Sequence, residues 1–176
     1  LEGGTSWACS LFADLVAHWE KRNGKAIHQY DPAKLDTDKV VRLMTEHGDA
    51  RTRAKAEHLG ESLAVQGMPP EVLDEFEACG IERPEDLVDR FVDRFYFGCE
   101  ADDSMVAQAF ASAINPFNTR LRAVLGSDIG HWDVPVMNAV VGEAHELVER
   151  AAITAEDFRD LMFTNPVTLH ARMNPD

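Results

Sequence analysis

The residues of this sequence best placed to do chemistry are Gly126-Ser127-Asp128, which follow the apolar run Leu121 to Leu125. A carboxylate that leaves a buried strand behind two small residues can bind a divalent metal and accept a proton from metal-bound water. The same position suits a loop aspartate that only caps local backbone groups. His131 and Trp132 lie in the same loop. His131 is placed to hydrogen-bond a substrate carboxylate or to orient Asp128, although a solvated loop histidine fits as well. Trp132 suits packing or a hydrophobic lid over a pocket better than a stacking platform. Glu100 follows a second apolar run that ends at Cys99, and is a candidate to line the same pocket. Its neighbours Asp102 and Asp103 are better read as helix caps. His18, His47, His58 and His145 fall within helical patterns, and His28 and His170 near loops or ends. None has a partner at metal spacing, so all six read as structural or solvated.

The elements that must position these groups can be read from periodicity. A helix begins near Thr5 and carries Trp7, Leu11 and Leu15, with Lys21-Arg22-Asn23-Gly24 as its stop. Residues 25 to 93 read as helical insertion material: a helix capped by Asp36 or Thr37, a long solvated one from Ala50 to Val65, and short ones on either side of Gly80. Arg94 to Cys99 is aromatic and nearly continuously apolar, which is the pattern of a strand buried on both faces. A helix over Ser104 to Ala113 and a second buried strand over Arg120 to Leu125 follow. A further helix then runs to about Arg150, and Thr154 with Asp157 forms a capping box for the next. Strand, helix, strand, helix implies parallel pairing through right-handed crossovers. In such folds catalytic groups gather at the C-terminal ends of the strands, which is where Glu100 and Asp128 stand.

Composition narrows the function. The 176 residues are 45% hydrophobic and 27% charged, enough for a genuine core, and carry a net charge of −14. That charge argues against nucleic acid and against anionic membrane surfaces as partners. No run approaches the roughly 20 apolar residues of a membrane span. Three well-separated cysteines give neither a disulfide framework nor a zinc ribbon, so a reducing cytoplasm is the expected compartment. The chain opens at Leu1 without a methionine and ends directly after a helical pattern, and is read as a piece of a longer protein.

Leu121 to Trp132 resembles the last barrel strand of the amidohydrolase superfamily, particularly the branch related to aminocarboxymuconate semialdehyde decarboxylase. In that branch a Gly-Ser-Asp segment ends strand eight, and its Asp binds the metal and assists proton transfer. The ending is also similar: a helix, then Asp157-Phe158-Arg159, then Asn165-Pro166 before a short helix. Glu2-Gly3-Gly4 with the Trp7 helix resembles the strand-six region, which often carries His-x-Gly-Gly. Here Leu1 stands where that His would be. The family's His-x-His after strand one and its His after strand five have no counterpart in this chain.

The resemblance implies an α/β fold: the C-terminal portion of a (β/α)8 barrel over residues 1–176, from strand six onward, with a largely helical insertion at about 25–93. It implies a metal-dependent hydrolase acting on a small organic substrate. Asp128 would be metal ligand and catalytic group, His131 a second catalytic residue, and Glu100, Trp132 and Glu2 pocket residues. The implied cofactor is a divalent metal, zinc first, whose other ligands this sequence lacks, so the chain alone is expected to be inactive. Non-oxidative decarboxylation is an alternative within the superfamily. A non-catalytic helical interaction domain, with Asp128 structural, is an alternative outside it. A small-molecule substrate and self-association are both compatible with the sequence.

Overall fold

The computed structural model describes residues 3–29, 31–66 and 74–173. Helix dominates, covering about 63% of the described residues when the 3-10 and π turns are included. The helices are α1 (Ser6–Arg22), α2 (Thr37–His47), α3 (Ala50–Gln66), α4 (Glu75–Ala78), α5 (Ala107–Phe110), α6 (Val140–Glu149), α7 (Ala155–Arg159) and α8 (Asn165–Met173). Among the described residues the strands are β1 (Phe97–Cys99) and β2 (Ala123–Leu125), paired in parallel with Phe97 opposite Ala123 and Cys99 opposite Leu125.

This overturns the barrel portion expected from the sequence. A (β/α)8 barrel rests on strands that continue the ladder on both sides, and here the ladder stops at two strands of three residues each. The apolar runs are longer than the strands because their flanks are used otherwise. Phe95 packs on Phe91, which also meets Phe97, with ring centroids 5.8 and 5.7 Å apart. Arg122 leaves the ladder direction to hydrogen-bond the Asp93 carboxylate at 2.9 Å and lies over the Tyr96 ring. Arg94 donates to the Asp89 carbonyl at 3.1 Å. The ladder opens where the Phe97 N–H donates to the Arg122 carbonyl at 2.9 Å, and strand geometry covers only Phe97–Cys99 and Ala123–Leu125.

The chain divides into two compact units. Unit 1 joins residues 1–18 to residues 83–176. Its core gathers Ala8 and Cys9 of α1, Phe97 and Cys99 of β1, and Leu121, Leu147 and Leu161. The face of α1 that is buried carries Ala8, Cys9 and Phe12, while Trp7 and Leu11 are half exposed. Phe12 decides this orientation by stacking on Phe91, ring planes 2° apart and centroids 6.0 Å apart. Trp7 instead lies edge-on to Phe97 and donates from Nε1 to the Gly4 carbonyl at 3.0 Å. Gly4 in turn donates its N–H to the Gly98 carbonyl at 3.1 Å, which ties the start of the chain to β1. Asn165, at the start of α8, donates from Nδ2 to the Ala123 carbonyl at 2.9 Å and so anchors that helix on β2.

Unit 2 is the contiguous run 19–82. Asp36 caps α2 by accepting the Lys39 N–H at 2.9 Å. α2 packs against α3 where Gly60 faces Val41, and a Cβ at position 60 would meet the Val41 Cγ2 at 2.5 Å. A glycine is therefore what lets the two helices approach.

Candidate functional site

β1 and β2 run in the same direction, so the segments that leave them emerge on one rim. There the loop after Cys99 and the loop after Leu125 face the start of α6 across a cleft of about 740 Å³. Glu100, Asp102 and Asp128 line it from the strand side, Asp133 from the long loop, and Glu143 and Glu146 from the helix side. Val134, Pro135, Val136, Ala139 and Val140 form its apolar lining. Among the described lining residues there are six carboxylates and no cation.

The loop that presents Asp128 follows from its sequence. Gly126 closes the ladder by donating its N–H to the Cys99 carbonyl at 2.8 Å. Asp128 then sits at φ 47°, in the left-handed region, where a short polar side chain is tolerated better than most. Its carbonyl accepts the His131 N–H at 2.9 Å, closing a turn whose third residue, Gly130, has φ 103°. A turn of that kind needs positive φ at its third position, which glycine supplies without a steric cost. A second turn follows as Val134 donates to the His131 carbonyl at 3.3 Å. Two successive turns fold the Asp128–Val134 loop back toward α6.

Asp128 and Glu100, singled out from the sequence, are thus brought to one cleft. His131 and Trp132 stand outside its lining. The Nδ1 atom of His131 pairs with the Asp133 carboxylate, and this contact holds that carboxyl below its ordinary range. Trp132 is 85% exposed and packs over nothing that would make it a closed lid; its ring lies 6.2 Å from that of His131. Glu2 lies outside the described residues. Asp102 lines the cleft, while Asp103 does cap the helical turn at Ser104–Val106 by accepting the Met105 N–H at 2.9 Å. The helix-side carboxylates Glu143 and Glu146 escape sequence reasoning. Their three-residue spacing puts them on one face of α6, but nothing in the sequence says that this face turns toward Asp128.

A zinc site needs three protein ligands converging at about 2 Å from the ion. Among the described residues no group of three His, Cys, Asp or Glu side chains is placed to hold a metal. The donors that surround Asp128 therefore do not fit a catalytic zinc by themselves.

No family model, curated protein or solved structure matches the chain. Among the described residues no helix is long and apolar enough to cross a membrane.

Proposed function

We propose that the chain supplies the acid–base wall of a hydrolase that acts on a small organic substrate, with Asp128 as the carboxylate that accepts a proton from the attacking water. The observation that carries this reading is that Glu100 and Asp128, each just past the end of one of two parallel strands, open on a single cleft. A cleft of about 740 Å³ lies within the size range of small-molecule sites. The resemblance at Leu121 to Trp132 supports the same assignment. A divalent metal, zinc in this reading, would take Asp128 as one ligand, and its other ligands are ones that this sequence lacks. His131 is assigned to substrate positioning through its loop. The free state of Cys9, Cys79 and Cys99 supports a reducing cytoplasm as the working compartment.

The test is a hydrolysis assay on a panel of small amides and esters, with and without added zinc, on a longer protein that carries this chain together with the missing metal ligands, and on its Asp128→Asn variant. The substitution preserves size and hydrogen bonding but removes the base. Loss of general-base catalysis commonly costs about 10²- to 10⁴-fold in rate, and a loss of that order is expected with an unchanged circular dichroism spectrum. Near-normal turnover by Asp128→Asn would end the assignment.

One observation favours the second reading, a helical interaction domain. Helix makes up most of the described residues, and the segment from Ile129 to Val141, which includes part of the cleft lining, leaves Ile129, Trp132, Val136, Met137 and Val141 exposed.

A further inference from the structure

We propose that the cleft and Trp132 form a docking surface for a basic amphipathic helical segment of a partner protein. Three features converge on that occupant. The lining is partly apolar: Val134, Pro135, Val136 and Val140 line the cleft between the loop and α6. The rim is negative on both sides, with Asp128 and Asp133 on one bank and Glu143 and Glu146 on the other. In the loop that carries Asp133 stands a tryptophan, Trp132, that is 85% exposed, and Ile129 in the same loop is 59% exposed.

A tryptophan left in water forgoes a burial that would favour association, and tryptophans are over-represented among the side chains that dominate binding energy. Apolar residues gathered at one place, rimmed by polar groups, mark a surface meant to be covered. The charge selects the occupant. A second copy of this chain would bring another −14 to a rim that is already anionic, and an anionic bilayer is repelled for the same reason. A helix with Leu or Phe along one stripe and Lys or Arg on both flanks matches apolar lining to apolar stripe and carboxylate to cation. This is the groove mode of helix recognition. Such a helix would close the mouth of the cleft, so its binding would also exclude small molecules. The proposal does not rest on hydrolysis, because binding is read in the absence of any substrate.

The experiment titrates the full chain with a peptide of about 15 residues, built of Leu and Lys in helical spacing so that one face is apolar. Affinity is read by calorimetry and the environment of Trp132 by its fluorescence. The expected result is one-to-one binding with emission shifted to shorter wavelength. Trp132→Phe should abolish the shift and, as loss of a binding hot spot, weaken affinity by about tenfold or more. The double variant Glu143→Gln, Glu146→Gln should weaken binding at low salt, whereas Glu46→Gln, Glu61→Gln, the same charge change in unit 2, should leave it unaltered. Equal weakening by both double variants, or equal binding of a scrambled Leu/Lys peptide, would reduce the effect to general charge attraction and overturn the proposal. Unchanged affinity in Trp132→Phe would overturn it as well. So would sedimentation showing that the chain self-associates through this face, with the association lost in Trp132→Ser.

Discussion

Asp128 carries two burdens at once, a carboxylate in the cleft and a backbone in the left-handed region. The second is a matter of stability and can be separated from the first. A non-glycine residue in that region costs about 1–2 kcal/mol relative to its preferred conformations, and a β-branched one is a worse fit. Asp128→Gly should therefore raise the urea midpoint or leave it unchanged, while Asp128→Val should lower stability by about 1–2 kcal/mol. Neither change opens a cavity, since the side chain faces the cleft. The sequence shows Gly126-Ser127-Asp128 as a loop with a carboxylate, because small and polar residues after an apolar run have few other uses. It does not show the positive φ, which arises from two successive turns closed by backbone hydrogen bonds. Nor does it show that His131 turns to Asp133, since a loop histidine followed by Trp-Asp has several conformations of similar local energy.

Among the elements, α6 ends in a form that glycine usually occupies. Ala151 has φ 54°, donates to the Val148 carbonyl at 2.9 Å, and is followed by Ala152 donating to Leu147 at 2.9 Å. That is the Schellman pattern, with alanine in the left-handed position after the cap. Ala151→Gly removes the Cβ clash but loosens the unfolded chain, and the net gain should be about 0.5–1 kcal/mol. Thermal unfolding checks it; a lower melting temperature would show that the Ala151 methyl makes contacts worth more than the strain. The start of the next helix, α7, was legible, although its α-helical form gives way to a π-helix at Asp160–Thr164. Thr154 accepts the Asp157 N–H at 3.1 Å, and Asp157 accepts the Thr154 N–H at 2.8 Å, the reciprocal pair that the spacing implies. Caps are readable because their partners lie three residues apart. The strands were readable in position and direction but not in length, since the Arg122 side chain turns to Asp93, far away in sequence, and Phe95 packs back on Phe91. For the same reason the buried face of α1 was misjudged. Trp7 and Leu11 satisfy helical spacing as well as Ala8, Cys9 and Phe12 do, and only the Phe12–Phe91 stack tells them apart.

At the scale of the molecule, the core holds two thiols that its packing keeps from solvent. Cys9 and Cys99 are buried, while Cys79 is exposed. Burial pushes the Cys99 thiol from its ordinary 9.0 up to about 12, with Asp103 and Glu100 adding to the rise. In the unfolded chain the same thiol loses its proton near pH 9, so the unfolded state binds fewer protons than the folded one from there up to about 12. Stability from this group is complete below pH 9 and falls as the pH rises through that window. Urea midpoints measured from pH 8 to 10 should decline more steeply for the wild type than for Cys99→Ala, and a thiol reagent at pH 8 should modify Cys79 alone until the protein unfolds. Parallel slopes, or rapid native-state reaction of Cys99, would contradict the packing around β1. The overall architecture was the least legible level. Alternating strands and helices suggested a closed barrel, but local patterns cannot count how many neighbours a strand acquires.

The order of segments in unit 1 has a consequence for the chain as it leaves the ribosome. Most of α1, through His18, belongs with residues 83–176, yet the 64 residues of unit 2 (19–82) are made in between. At a synthesis rate of about 5–20 residues per second, Ala8, Cys9 and Phe12 wait several seconds or longer for Phe91, Leu121 and Leu161 to emerge. Unit 2 is continuous and faces no such delay. During that interval the apolar face of α1, with Ala8, Cys9 and Phe12, lacks the partners that bury it in the folded unit, and a holding chaperone would find a grip there.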